Sequence, residues 1–517
     1  MEYLTMEYRP LLAILGPTVA SLLIVLTGNR PNLRESWTLL GGLFLFATVI
    51  SISPFVLKEG PIGLSLFKLL PGVDFAFKAD AFGLIFATTS SSLWILVSLY
   101  SIGYMRSLKE HAQTRYYFSF AVALVGAIGI AFSANLVTMF VFYEILTIST
   151  YPLVAHEESP EAISAGHKYL AYLLTSGLFF LVGILVTYLA VGTTEFQPQG
   201  ILKTALGSTS KLTLQIVFFC FLIGFAKAAW MPLHAWLPSA MVAPTPVSAL
   251  LHAVAVVKAG VFGIIRIVCY IYGIDVMQSL GLGLALACVA AFTILVANLY
   301  AIGQNNLKRM LAYSTINQLS FIILGVALLS PMAVTGAMIH IPFHGFMKIT
   351  LFLCAGAITA IAGKRDISDM KGIGRILPVT MLAFIIGAFG MAGAPPLAGF
   401  ISKWHISLGA IQSGQMVFLL VILIGSLLDV IYFFPVIRTA FFGKIPENQV
   451  IKGDLEEKVD LYSEQPRSIE ARRPLYLFMV VPLSITAIFS ILLCLFPRMF
   501  YIYDLALAAV ENIFGGM

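Results

Sequence analysis

Apolar stretches recur along the whole chain, and many reach the roughly 20 residues that a helix needs to cross a bilayer. Mostly short polar connections separate them, and the alternating strands of about ten residues that build a membrane barrel are not seen. The pattern predicts an all-α integral membrane protein with about fourteen transmembrane helices. The predicted spans are residues 11–27, 37–57, 81–104, 115–133, 135–155, 165–191, 212–231, 247–272, 279–301, 311–329, 332–362, 377–412, 416–442 and 475–496.

Composition narrows the class of protein further. Hydrophobic residues make up 59% of the chain, charged residues 11%, and the mean hydropathy is +0.94. A soluble domain carries about 25% charged residues, so a soluble or disordered chain is excluded. The basic residues are scattered over loops and form no basic face, which argues against nucleic acid. The lipid bilayer is therefore the predicted environment.

The distribution of positive charge predicts an orientation. Loops on one side of the membrane carry more than twice as many Lys and Arg residues as the termini and the loops on the other side. The positive-inside rule then places both termini outside and the long polar loop 443–474 in the cytoplasm. We expect a multi-pass protein of the cell membrane.

Two spans are interrupted by proline in similar surroundings. The first break lies at Pro232, one turn after Lys227, and the second at Pro395 and Pro396, before Lys403. Each proline frees a backbone carbonyl, and such backbone persists at membrane depth only where protein or a wet cavity covers it. A pair of breaks five spans apart is typical of transporters with inverted repeats. Two independent kinks are the alternative.

The spans and breaks suggest a division of the chain. Residues 1–114 hold spans 1–3, residues 115–272 a first five-helix repeat of spans 4–8, and residues 273–442 a second, inverted repeat of spans 9–13. The cytoplasmic loop 443–474 follows, and residues 475–517 hold span 14 and a C-terminal tail.

Ionisable residues inside the predicted spans are the candidates for function, because each costs about 2.5–3.5 kcal/mol at the centre of a span. So many of them imply a polar path through the protein interior, whereas Arg266, near the end of its span, is interpreted as structural. The candidate proton-transfer residues are Glu144, Lys227, His252, Lys258, His340, His344, Lys348, Lys403 and Asp429.

Two opposite-charge pairs are expected among these candidates. Glu144 has no partner nearby in sequence, and Lys227, beside a proline break, is the natural counter-ion. The alternative is an ion pair that only pins two helices. Asp429 is the expected counter-ion of Lys403.

A stripe of basic side chains is predicted on one helix. His340, His344 and Lys348 are spaced by four residues and so share one face. A zinc site is the alternative to a proton relay, but the HExxH pattern is absent and the lysine would repel a dication. Near-neutral histidines beside a buried lysine therefore favour a relay, with no bound metal.

The motifs around these residues resemble a known family. They include Asp80-Ala-Phe-Gly-Leu, Phe142-Tyr-Glu144, Met231-Pro-Leu-His-Ala-Trp-Leu-Pro238, Ala243-Pro-Thr-Pro-Val-Ser-Ala and Gly399-Phe-Ile-Ser-Lys403. The chain resembles, over about residues 74–442, the antiporter-like subunits shared by respiratory complex I, Mrp-type Na⁺/H⁺ antiporters and membrane-bound hydrogenases.

The resemblance implies a proton-translocating subunit of a larger complex, possessing inverted repeats in spans 4–8 and 9–13. It implies a Glu144–Lys227 pair, relay groups at Lys258 and the His340 stripe, an exit lysine at Lys403, and transport of H⁺, either alone or in exchange for Na⁺. Other membrane subunits, both homologous antiporter-like ones and small ones, are the expected partners. The short chain after span 14 and the lysine at 403 favour the Mrp or hydrogenase branch.

Two other classes of function remain as alternatives, an integral-membrane enzyme and a structural scaffold without ion transport. No nucleotide, flavin or iron–sulfur motif is present, so no cofactor is expected and any redox chemistry belongs to a partner.

Overall fold

The structure, a computed structural model, describes residues 6–443 and 474–515. Residues 444–473 of the predicted cytoplasmic loop lie outside the described residues. The long helices are α1 (Arg9–Leu26), α2 (Pro31–Glu59), α3 (Ala81–Ser107), α4 (Gln113–Ala131), α5 (Leu136–Val154), α6 (Pro160–Val191), α7 (Lys211–Gly224), α8 (Thr245–Tyr272), α9 (Leu282–Ile302), α10 (Leu307–Ala327), α11 (Pro331–Ala362), α12 (Pro378–Ala392), α13 (Ala398–Gln412), α14 (Met416–Phe442), α15 (Pro474–Leu495) and α16 (Ile502–Phe514).

Within the described residues, twelve of these helices are long and apolar enough to cross a membrane, and α7 and α12 are shorter apolar helices. Every predicted span overlaps a helix, and the predicted span 377–412 is divided between α12 and α13. One-turn and 3₁₀ helices connect the long ones: Leu202–Gly207, Ala226–Ala228, Trp236–Ser239, Ala240–Val242, Ile274–Ser279, Ile367–Asp369, Ile373–Ile376 and Met499–Tyr501. The chain is therefore a multi-pass, mostly helical membrane protein.

The prediction of an all-α fold is wrong in one segment, because a hairpin lies between α2 and α3. Strands β1 (Ile62–Leu70) and β2 (Val73–Ala79) pair antiparallel across a turn at Pro71 and Gly72. Proline presets the first turn position, and Gly72 has a φ of +76°, which an L side chain rarely adopts. The hairpin covers the connection between α4 and α5, where the Ala134 amide donates to the Ala76 carbonyl.

A further helix follows span 14, since α16 occupies most of the C-terminal tail. The helix is joined to α13 by a hydrogen bond between His405 Nε2 and the Tyr503 hydroxyl, 3.0 Å apart. Its buried face includes Leu505 and Val510.

The core of the molecule is formed by helices that are nearly enclosed by others. The most apolar stretch of α8 is 100% buried, that of α10 94% and that of α11 83%, whereas those of α6 and α14 are 33% buried. A helix that is apolar on all sides belongs in such an interior or against lipid. Helix α8 also contains two π-helical segments, Leu250–Val254 and Ile267–Tyr272.

A buried ion pair fixes the start of α3 against the end of α8. Both terminal nitrogens of Arg266 donate to the Asp80 carboxylate at 2.6 and 2.7 Å, and Asp80 also caps α3 by accepting from the Gly83 amide. The guanidinium is 1% exposed and packs against four aromatic rings, among them Tyr270 at 4.5 Å. The interpretation of Arg266 as a structural residue agrees with these contacts.

Asp80→Asn should destabilise the protein strongly. Asparagine caps a helix as well as aspartate does, so the main loss is the counter-charge of buried Arg266, which costs about 3–5 kcal/mol. Thermal unfolding of the purified protein measures the effect. The control is Asp275→Asn, which breaks an exposed pair with Lys203 and should change stability by less than about 1 kcal/mol. Equal unfolding temperatures for the two variants would refute the structural role.

Candidate proton-transfer site

The structure buries all nine candidate residues to a large degree. Lys403 is 5% exposed, and Glu144 is partly exposed although both of its carboxylate oxygens are buried. The other seven side chains are fully buried: Lys227, His252, Lys258, His340, His344, Lys348 and Asp429. The sequence-based expectation of a polar interior therefore agrees with their positions, and their contacts define four local groups.

Lys227 lies on the 3₁₀ turn Ala226–Ala228 that ends α7, and its ammonium reaches α5. Its Nζ donates to the Tyr143 carbonyl at 2.9 Å and to Thr147 Oγ1 at 2.7 Å. The same nitrogen lies 3.0 Å from the centre of the Tyr143 ring, a cation–π contact. Neutral oxygen atoms of α5 thus hold the ammonium, and Glu144, the expected counter-ion, lies nearby without a direct hydrogen bond to it.

Glu144 lies on α5 between the two residues that bind Lys227. Neither of its carboxylate oxygens has a hydrogen-bond partner among the described residues. The Glu144 carboxylate packs against Gly177 of α6, and it fits there because glycine has no side chain. A Cβ added at Gly177 would overlap Glu144 Oε1. Glu144 is therefore a neighbour of the Lys227 site whose carboxylate is not fixed by any hydrogen bond in the described protein.

The second group joins α8 to α11. Lys258 Nζ lies 2.5 Å from His344 Nδ1, and His252 Nδ1 lies 3.0 Å from Thr315 Oγ1 of α10. The two nitrogens lie within hydrogen-bond distance, so Lys258 and His344 form one hydrogen-bonded pair. Lys258 is thus the residue of α8 that contacts the histidine stripe.

The third group is the stripe itself, which lies on one face of α11 as predicted. The rings of His340 and His344 stack with centres 5.8 Å apart, and His340 Nδ1 lies 2.7 Å from Ser402 Oγ of α13. Lys348, one turn further on, donates to Ser314 Oγ of α10 at 2.8 Å. The stripe therefore contacts α8, α10 and α13.

The fourth group is centred on Asp429 of α14. Lys403 Nζ donates to its Oδ2 at 2.8 Å, so the predicted counter-ion contact is present. Asn317, Gln318 and Tyr432 add three neutral donors, each at 2.7 Å. Lys403 also donates to the Met391 carbonyl at 2.7 Å, next to the break between α12 and α13.

Tyr432 connects the third and fourth groups. Its hydroxyl oxygen lies 2.7 Å from Ser314 Oγ and 2.7 Å from Asp429 Oδ1. Since Ser314 also binds Lys348, an unbroken series of hydrogen bonds runs from Lys348 through Ser314, Tyr432 and Asp429 to Lys403.

Sequence reasoning missed the neutral members of these groups because it considered only ionisable side chains. They are Tyr143, Thr147, Ser314, Thr315, Asn317, Gln318, Ser402 and Tyr432. The adjacent amides Asn317 and Gln318 inside an apolar span were the available signal, because a buried amide needs partners.

A multi-span fold with buried lysines, histidines and carboxylates at helix breaks defines a class of ion-translocating membrane protein, and comparison with known proteins agrees with this class. Residues 133–429 match the family described as NADH:quinone oxidoreductase/Mrp antiporter, TM. The chain is 33% identical over 377 residues to NADH-quinone oxidoreductase subunit N of Desulforudis audaxviator, an alignment that covers 73% of this chain and 74% of the relative. The chain belongs to this family.

Other similarities come from several complexes. The chain is 31% identical over 407 residues to Na(+)/H(+) antiporter subunit A1 of Staphylococcus aureus, which covers 74% of this chain and 50% of that one. It therefore spans about half the length of such antiporter relatives. A chain of the Mrp complex from Dietzia sp. DQ12-45-1b has the same fold, with a TM-score of 0.84, 22% identity and coverage of 99% and 98%. A chain of the archaeal membrane-bound sulfane sulfur reductase gives a TM-score of 0.82, with 26% identity and coverage of 98% and 97%.

Gly177→Ala should displace the Glu144 carboxylate without weakening α6. Alanine is favoured over glycine inside a helix by up to about 1 kcal/mol, so thermal stability should be kept. Proton flux through the native complex in vesicles should fall about tenfold, the effect of about 1.4 kcal/mol. Gly303→Ala at the end of α9, where an added Cβ meets no close atom, is the control. Unchanged flux in Gly177→Ala would show that the carboxylate position is unimportant.

Proposed function

We propose that the chain is a proton-translocating, antiporter-like subunit of a multi-subunit membrane complex, related to Mrp antiporters, membrane-bound hydrogenases or complex I. The observation that carries the proposal is the series of buried hydrogen bonds from Lys348 to Lys403. A chain of titratable and hydroxyl groups in direct contact can pass protons. Burying a lysine in a membrane protein costs free energy, so such lysines usually mark a functional site.

In the second half of the chain, the proton route follows this series. Lys258 of the first half enters this route through its hydrogen bond with His344, while His344 Nε2 and His340 Nε2 have no hydrogen-bond partner among the described residues. These nitrogens are available to exchange protons along the stripe. Lys348 then connects through Ser314 and Tyr432 to Asp429 and Lys403, which we assign as the exit.

In the first half, Glu144 and Lys227 form the other titrating unit. Because no hydrogen bond fixes the Glu144 carboxylate, it can gain or lose a proton without disrupting a partner. The charge on Glu144 then changes the stability of the Lys227 ammonium nearby. Gly260 of α8 packs against the backbone of Ala228, so the helix that carries Lys258 lies directly against the Lys227 turn.

We further propose fourteen spans, with α7 and its following turn as span 7 and α12 with α13 as span 12. Residues 115–272 and 273–442 are then two inverted five-helix repeats, flanked by residues 1–114 and 475–517. The presence of one broken span with a lysine in each repeat supports this division. Both termini would lie outside, and the loop 443–474 in the cytoplasm.

The partners that we propose are further membrane subunits, both homologous antiporter-like chains and small ones. The Na(+)/H(+) antiporter relatives make Na⁺ the candidate cation for exchange. An enzyme acting on lipid is not favoured, since the described ionisable cluster lies inside the helix bundle and not at a membrane face. A structural scaffold without ion transport is not favoured either, since it does not require a hydrogen-bonded series of buried titratable groups.

Lys227→Ala should abolish most coupled proton transport while the protein still inserts. Glu144→Gln should reduce flux comparably, and the double variant should be no worse than either single one, because members of a coupled unit are not additive. Proton flux in proteoliposomes that contain the native complex is the measurement. Lys168→Ala, which removes an exposed lysine on α6, is the matched control. Full transport by Lys227→Ala, or independent losses that multiply, would refute the assignment.

A further inference from the structure

A cluster of three potential metal ligands lies outside the proton-transfer groups, at one end of the helix bundle. Glu110 and His111 belong to the connection between α3 and α4, and His156 belongs to the connection between α5 and α6. Their ligand atoms all lie within 4.8 Å of one another, and His156 Nε2 is 3.9 Å from Glu110 Oε2. Two histidines and one carboxylate from separate connections are thus brought together only by the fold.

His156 is the unusual member of this cluster. Its side chain is fully buried, yet neither ring nitrogen makes a hydrogen bond of good geometry with a described residue, although the His111 backbone lies close to the ring. The ring stacks on His111, with centres 4.9 Å apart and planes 28° apart, and its edge faces Tyr116. A buried polar atom without a partner costs about 1–3 kcal/mol. A ligand at the nitrogen that faces Glu110 would remove part of this penalty.

The types of donor atom in the cluster indicate which metal ion it would bind. Two imidazoles and a carboxylate are the protein ligands of many zinc sites, with a water in the fourth position, whereas Mg²⁺ and Ca²⁺ prefer oxygen alone. Ligand atoms of a zinc ion lie about 2.0–2.2 Å from the metal, so the three side chains must close by about an ångström. His111 is exposed and Glu110 is half-buried, so both side chains have room to move toward buried His156.

The charged groups around the cluster include both signs. Lys109 precedes Glu110 in the chain, and Arg115 Nη2 donates to the His156 carbonyl at 3.1 Å. Its other terminal nitrogen is paired with the carboxylate of Glu158, which offsets the positive charge. Glu157, next along the chain, is exposed and adds a further negative charge.

We propose that Glu110, His111 and His156 bind one Zn²⁺ ion. The ion would fasten the α3–α4 connection to the end of α5, the helix that carries Glu144. This site is independent of the proposed proton route, and neither proposal requires the other.

Zinc binding by the purified native complex tests the site. After treatment with a chelator, the complex is titrated with Zn²⁺ against a chromogenic competitor. Wild type should bind one more equivalent of tightly held zinc than His156→Gln, and Glu110→Gln and His111→Asn should bind that equivalent at least tenfold more weakly. His167→Asn, which changes an exposed histidine on α6, is the matched control and should bind zinc as wild type does.

A second measurement identifies the ligands directly. X-ray absorption at the zinc edge should show imidazole scattering in wild type. This scattering should be weaker in His111→Asn. Since His111 is exposed, that variant keeps the fold even if His156→Gln does not. Equal zinc stoichiometry and affinity in wild type and His111→Asn would overturn the proposal, as would an equal loss in His167→Asn.

Discussion

Hydrocarbon offers no partner to an ammonium, a carboxylate or a free backbone carbonyl, and the polar interior of this protein is arranged around that constraint. At the second break a lysine and freed backbone satisfy each other, because Lys403 binds the Met391 carbonyl between α12 and α13. At the first break Lys227 itself lies on the irregular turn and binds the Tyr143 carbonyl of the neighbouring helix α5. A break in a span therefore provides both a site for a lysine and the covered, non-helical backbone that the site needs. The nearly enclosed helices α8, α10 and α11 then supply the remaining donors and acceptors.

The two broken spans hold their lysines in different electrostatic environments. Lys403 faces a carboxylate that also receives three neutral hydrogen bonds, so a change of charge at Asp429 disturbs four contacts. Lys227 is held by a carbonyl and a hydroxyl, and the carboxylate beside it has no hydrogen bond to lose. We propose that a proton arrives at Glu144 with little rearrangement, whereas the Asp429 group responds as a unit. This difference suits an arrival site in one half and a tightly coupled exit in the other.

Much of the fold could be predicted from sequence, because hydropathy alone determines which segments can cross a membrane. Twelve of the fourteen predicted spans agree with long helices to within several residues, whereas 212–231 and 377–412 fall on shorter helices. Proline located the break in each of these two spans. The hairpin was missed although Pro71 and Gly72 carry a turn signal, since the segment was treated as a connection between spans. The Lys403–Asp429 contact was predicted from opposite charge. The contact of Lys227 was not, because its partners are a carbonyl and a hydroxyl that a search for charges cannot find. The Glu110, His111 and His156 cluster depends on the meeting of two connections distant in sequence.

We propose that the two halves form one proton route in series, because the helix that carries Lys258 packs against the Lys227 turn. Flux through the native complex with each half blocked tests this proposal most directly. Glu144→Gln and Asp429→Asn, made singly and together, are compared in proteoliposomes at matched levels of assembled complex. A single route predicts that each substitution alone removes nearly all proton flux and that the double variant is no worse. Two separate routes would leave about half of the flux after either substitution, with loss only in the double variant, and that result would contradict the account.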